Sequence, residues 1–202
     1  MPLKDHAMHK PALLLLIAAL ATTAAPALAG PNPAVLPTGE AYEIGGAFGL
    51  TTQRGARFTE ADLKGKPYLV FFGFTHCPEV CPTTLFELTG ILAELGRAAD
   101  ELVPVFVTVD PERDTQDYLS SYLGAFDKRI VGLRGSAEET AAMARLFRAT
   151  YRKVPLDGGD YTMDHTAIIY LMDRQGRLFD KIEYLEEHAS QIAKLKRLLA
   201  VD

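Results

Sequence analysis

Phe71-Phe72-Gly73-Phe74-Thr75-His76-Cys77-Pro78-Glu79-Val80-Cys81-Pro82 carries an apolar run straight into the only two cysteines of the chain. The run from Tyr68 to Phe74 is continuous rather than alternating, which predicts a short strand buried on both faces. A turn follows, and Pro82 predicts the opening of a helix, because the N–H that proline lacks has no intrahelical partner there. Both thiols then sit at or just before a helix N-terminus, where aligned peptide dipoles favour negative charge and lower a thiol's pKa. The i,i+4 spacing of Cys77 and Cys81 puts both sulfurs on one face of a helical turn. Their Cβ atoms then stand somewhat beyond the roughly 3.5–4.5 Å of a relaxed disulfide. A modest distortion of the turn closes a disulfide, and a modest opening admits a metal ion.

Outward from this stretch, strands and helices alternate. Ile44 to Leu50 and Thr51 to Phe58 read as an N-terminal β-hairpin turning at Gln53-Arg54-Gly55. After the cysteines a helix is expected over Pro82–Arg97, with Leu85, Leu88, Ile91, Leu92 and Leu95 on one stripe. Leu102–Val109 is a second buried strand, ending at Asp110-Pro111. Thr115 starts a helix with Tyr118, Leu119 and Tyr122 inward, and Ile130–Leu133 is a short strand. Ser136 and Glu139 form a capping box for a helix reaching about Phe147. Ala167–Met172 and Arg177–Tyr184 pair across Asp173-Arg174-Gln175-Gly176, and a last amphipathic helix covers Glu187–Leu199. This alternation predicts an α/β fold with βαβ crossovers; the closing hairpin makes the central sheet mixed. Working sites of such sheets lie beyond the carboxyl ends of the strands. Cys77 and Asp110 both fall there.

The chain has 202 residues, 48% apolar and 23% charged, an ordinary globular composition. A net charge of −5 carries no basic footprint, which excludes nucleic acid as the expected partner. Residues 1–29 have the layout of a secretory signal peptide: Lys4 and Lys10, the uncharged segment Ala12–Ala25, and Ala27-Leu28-Ala29 before Gly30. That segment is shorter than the about 20 residues a membrane-spanning helix needs. An uncleaved membrane anchor is the rival reading. No arginine precedes Arg54, which speaks against a mitochondrial transit peptide. Residues 30–43, proline-rich at first, read as a flexible lead-in to a folded domain over 44–202. In an exported protein one structural disulfide is the bland account of the cysteines, but so short a loop closes little chain entropy.

Three separated motifs carry a resemblance. Gly73-Phe74-Thr75-His76-Cys77-Pro78-Glu79-Val80-Cys81-Pro82, Asp110-Pro111-Glu112-Arg113-Asp114-Thr115 and Tyr161-Thr162-Met163-Asp164-His165-Thr166-Ala167 stand in the order found in the Sco/SenC family. The chain resembles that family of thioredoxin-like copper-binding proteins, which help assemble cytochrome c oxidase, over essentially the whole of 44–202. The resemblance implies a thioredoxin-like fold. It also implies that Cys77, Cys81 and His165 together hold copper. The donor types agree: two soft thiolates and an imidazole favour copper, Cu(I) above all and Cu(II) as a second state, whereas zinc usually takes a fourth ligand. His165 is expected on a loop ahead of the apolar run Ala167–Leu171. His76 is a weaker candidate, since neighbouring residues of an extended segment point to opposite faces. Asp110 reads either as a partner of the site or as a turn cap. Asp164 is a candidate to orient His165, because ligand imidazoles usually donate their second N–H. Arg113 and Asp114 are expected to pair locally, Pro155–Gly159 to form an exposed turn, and His188 to be solvated.

Two functions follow from this reading. The first is a periplasmic copper chaperone that passes its metal to the dinuclear copper centre of an oxidase, with the copper-bearing oxidase subunit and other periplasmic copper chaperones as partners. Membrane contact then comes only through those partners or an uncleaved leader. The alternative is a thiol–disulfide oxidoreductase using Cys77 and Cys81 as its redox-active pair, although such catalysts use Cys-x-x-Cys and leave His165 without a task. A peroxidase would need Thr-x-x-Cys, and Thr75 stands too close to Cys77 for that.

Overall fold

The computed structural model describes residues 43–201. The leader expected over 1–29, with His6 and His9, lies outside them, as does the lead-in through residue 42. Among the described residues nine strands and four α-helices follow one another: β1 (Gly49–Thr52), β2 (Arg57–Thr59), β3 (Tyr68–Gly73), α1 (Val80–Leu95), β4 (Val103–Thr108), α2 (Gln116–Leu123), β5 (Val131–Arg134), α3 (Ala137–Leu146), β6 (Tyr151–Pro155), β7 (Tyr161–His165), β8 (Ile168–Met172), β9 (Leu178–Glu183) and α4 (His188–Leu199). Seven strands form one sheet in the order β2-β1-β5-β4-β3-β8-β9. The three central strands β5, β4 and β3 run parallel, and antiparallel partners flank them on both sides. With helices packed against it, this mixed sheet is the thioredoxin-like arrangement expected above.

The physical reason is visible in β3, where every residue from Tyr68 to Gly73 is buried. An all-apolar strand is stable only at the centre of a sheet covered on both faces. Phe72 meets Phe147 and Tyr170 edge-on at 5.7 and 6.1 Å, and Phe71 meets Phe106 at 5.9 Å. Burying each such ring is worth about 1.5–3 kcal/mol against leaving it in water. The stripe expected on α1 is the buried one, through Leu85, Leu88, Ile91 and Leu92. Ser136 and Glu139 form the capping box of α3.

Three local expectations are corrected. α1 opens at Val80, not Pro82, so Cys81 is already helical and proline occupies the third position, where its absent N–H still has no intrahelical partner. Tyr118 does not point inward; it is 49% exposed. Residues 151–165, which carry no clean alternation, form a separate two-stranded antiparallel sheet, β6 with β7, pairing Tyr151 with His165 and Pro155 with Tyr161. Its tip is the expected exposed turn, where Gly158 and Gly159 take φ of +88° and +86°. His165 is therefore the last residue of a strand rather than part of a loop. Among the described residues no helix is long and apolar enough to cross a membrane.

Candidate metal centre

The parallel strands deliver their carboxyl ends to one edge. Beyond β3 the chain turns through Thr75 and His76 to Cys77, and α1 starts three residues later. Cys77 is half-buried and Cys81 fully buried, both as free thiols. The backbone N–H of Cys81 donates to Cys77 Sγ at 3.4 Å, so the first turn of the helix folds around a sulfur. β7 brings in the imidazole: His165 Nε2 lies 3.6 Å from Cys81 Sγ. One donor atom from each of Cys77, Cys81 and His165 lies within 4.8 Å of the others. Two atoms bonded to one ion at about 2.0–2.3 Å stand at most about 4.6 Å apart, so a small contraction brings all three onto a single ion.

Each donor is oriented by its surroundings. His165 Nδ1 lies 3.1 Å from the Thr166 carbonyl. A carbonyl only accepts, so Nδ1 carries the proton and Nε2 offers its lone pair towards the sulfurs. Phe74 and Phe71 hold the ring edge-on at 5.7 and 6.3 Å. Gly73 leaves the space Cys81 needs: a Cβ there would stand 2.8 Å from Cys81 Sγ and 2.7 Å from the Phe106 ring. The two thiols differ sharply in acidity. Hydrogen bonding from the Cys81 side chain pulls Cys77 down to about 4, against the opposing effect of burial and with help from His165 and the amides of Cys81 and Glu79. Cys81 is pushed up, because it is the proton donor of the pair and is buried. The resting centre is thus a thiolate at Cys77 backed by a thiol at Cys81.

The remaining candidates fall elsewhere. His76 turns away from the sulfurs: Nδ1 lies 3.1 Å from Thr75 Oγ1, and the ring stacks on Tyr118 at 5.0 Å, which is what draws Tyr118 outward. Asp110 is 1% exposed and accepts from Arg113 Nε at 2.6 Å and from the Tyr161 hydroxyl at 2.9 Å; it fixes the approach of β7 instead of touching the donors. Asp164 does not orient His165, a correction to the expectation above: its carboxylate faces Arg152 at 2.8 Å, because alternate strand residues point to opposite faces. Arg113 and Asp114 do not pair with each other. Asp114, fully buried, accepts from the Thr75 N–H at 3.0 Å and from the hydroxyls of Thr75 and Thr108, joining the turn after β3 to the end of β4. The sequence carried no signal for this hub, because the partners of Asp114 lie in other segments of the chain. His188 opens α4 at the surface, 3.0 Å from Glu94.

The SCO1/SenC family matches residues 37–200 of the sequence. The chain belongs to that family. The human protein SCO1 homolog, mitochondrial, is 41% identical over 140 residues, covering 68% of this chain and 46% of that protein, so the chain spans about half the length of this relative. The structure of Bradyrhizobium japonicum ScoI, solved with copper bound, is 48% identical with a TM-score of 0.72, covering 77% of this chain and 99% of that one. Yeast Sco1, also solved with copper bound, is 32% identical with a TM-score of 0.73, over 79% of this chain and 90% of that one.

Proposed function

We propose that this chain is an exported copper chaperone that carries one copper ion as cargo on Cys77, Cys81 and His165. It delivers the ion by ligand exchange to the dinuclear copper centre of cytochrome c oxidase. The observation that carries this reading is the convergence of two sulfurs and one imidazole nitrogen within 4.8 Å at the carboxyl edge of β3. Soft thiolates with an imidazole suit Cu(I), with Cu(II) as a second state; hard cations prefer oxygen, and zinc prefers a fourth protein ligand. Relatives solved with copper bound support the same assignment. Three donors leave a coordination position open, and the groove beside them, lined by Pro78, Glu79, Thr162 and Ala167, gives an acceptor's ligand a way in. The copper-bearing oxidase subunit and other periplasmic copper chaperones are the partners this implies, with the leader expected over residues 1–29 directing the chain to the periplasm. Reduced protein is expected to bind one copper per chain, and Cys77→Ala and His165→Ala each to weaken binding sharply in a competition with a chromophoric Cu(I) chelator. Unchanged affinity in both variants removes the proposal.

A second reading rests on the asymmetry of the thiols. Cys77 is a half-exposed thiolate with the thiol of Cys81 behind it. In this reading Cys77 Sγ attacks a disulfide of a target protein, forming a mixed disulfide and releasing one target thiolate. The Cys81 sulfur, losing its proton, then displaces the second target sulfur. The target leaves with two thiols and the chaperone keeps a Cys77–Cys81 disulfide. His165 has no part in this exchange, so a His165→Ala protein that keeps disulfide-reducing activity while losing copper separates the two functions.

A further inference from the structure

The support of His165 lies at the far end of its own strand. Tyr161 and His165 share one face of β7, as the two-residue period of a strand requires. β6 and β7 pair only with each other, so no ladder of hydrogen bonds joins this hairpin to the seven-stranded sheet. Beyond His165 the chain enters β8 through Thr166 and Ala167 alone. At the other end Tyr161 is held by several charged groups. The Arg113 guanidinium carbon lies over its ring, 3.7 Å from the centroid, and the Lys153 ammonium lies 4.5 Å from it. The Tyr161 hydroxyl donates to Asp110, and Arg113 donates both to Asp110 and, at 2.8 Å, to the Tyr161 carbonyl. Asp110 and Arg113 belong to the segment that leaves β4, so this grip, together with Met163 buried between Tyr161 and His165 and the Lys153–Glu112 ion pair, is where the rest of the fold takes hold of the hairpin.

We propose that the stack of Arg113 on Tyr161, fastened by Asp110, is a latch that keeps His165 within bonding reach of the thiols. Arg113 and Tyr161 are then positioning residues for the third ligand, although neither touches the donors. With the latch open, the hairpin swings about its base, where Thr150 and Thr166 are hydrogen-bonded to each other, drawing Met163 out of the core, and the imidazole leaves Cys81 Sγ. The sulfurs stay in place, because β3 and α1 hold them. This inference rests on the copper reading above and adds to it the device that sets how firmly the third ligand is held.

A double-mutant cycle tests it. Cu(I) affinity is measured by chelator competition for the wild-type, Tyr161→Ala and Arg113→Ala proteins, each with and without His165→Ala. In the wild-type background the loss of His165 is expected to cost at least about tenfold, and in either latch variant less than about threefold, since coupled residues interact non-additively. Tyr161→Phe keeps the ring under the guanidinium and is expected to restore most of the cost. X-ray absorption of the Cu(I) forms supplies a readout that mere destabilisation does not move: the nitrogen ligand present in the wild type should be lost in both latch variants. Should Tyr161→Ala fail to fold, Arg113→Lys, which keeps the charge and loses the planar stack, carries the same comparison. A full His165 cost in every background overturns the latch alone. A wild-type protein in which His165→Ala costs nothing overturns the copper centre, and the latch with it.

Discussion

Cys81 and His165 face each other across 3.6 Å, yet they hang from very different supports. Cys81 has no exposed surface; it lies in the first turn of a helix with a buried stripe, directly after the fully buried strand β3. Moving its sulfur means repacking Phe106 and the space above Gly73. His165 ends a two-stranded hairpin that buries a single side chain fully, Met163, and is otherwise held by the Arg113–Tyr161 stack, polar contacts, a short link to β8 and the rings of Phe71 and Phe74 beside the imidazole. Elements with few buried apolar contacts open at low free-energy cost, whereas the core opens only with global unfolding. The comparison teaches that the centre combines a fixed thiol pair with an adjustable third ligand. Under the proposed chaperone function, the imidazole is the donor that comes away first.

Four measurements break or sharpen that contrast. Cys81→Ser on the fixed side should cause the largest loss, about a thousandfold in Cu(I) affinity, or about 4 kcal/mol at 1.4 kcal/mol per decade. Chelator competition checks it, and a loss smaller than that of His165→Ala would reverse the assignment of the two sides. Gly73→Ala is next. The added methyl meets Cys81 Sγ and Phe106 in a packed core, so unfolding in denaturant should show a cost of about 1–3 kcal/mol together with weakened copper binding. A neutral result would mean that the sulfur is free to shift. Third, Cys77 in the reduced, metal-free protein should react with iodoacetamide at a rate nearly constant from pH 9 down to about 5, falling by half near pH 4. The sign follows from linkage: a thiol held below its ordinary value of 9.0 contributes its stability in full above pH 9, and that contribution shrinks as pH falls towards 4. Labelling with a midpoint near 9 would show that Cys81 does not support a thiolate. Smallest is Tyr118→Ala, which frees the His76 ring on the rim and should change copper affinity by less than about twofold, as surface substitutions away from a site do.

Much of this was legible before the fold was known, and the exceptions have physical causes. The seven-stranded sheet follows from continuous apolar runs, which leave strands such as Tyr68–Phe74 no other stable place. The thiol pair is written in adjacent residues, so its position at a helix start is a local property. The hairpin of β6 and β7 is different. Arg152, Lys153 and Asp164 face solvent and blur the alternation, leaving Asp157-Gly158-Gly159 between two tyrosine-bearing runs as the one local turn signal. The latch and the Asp114 hub were out of reach for a related reason. Arg113 meets Tyr161 from 48 positions away and Asp114 meets Thr75 from 39, and no local pattern records such pairings. Motif resemblance named His165, but only the coordinates show what carries it.

The amide of Cys81, pointing at the sulfur of Cys77, has one more consequence. A lone pair already shared with an N–H is a milder electron donor than a bare one, so the backbone itself moderates how strongly this sulfur can hold a soft cation. No substitution that keeps the second sulfur removes that moderation, since the group responsible is the Cys81 peptide N–H. The strength with which this sulfur would hold a copper ion is thus tuned by the path of the main chain.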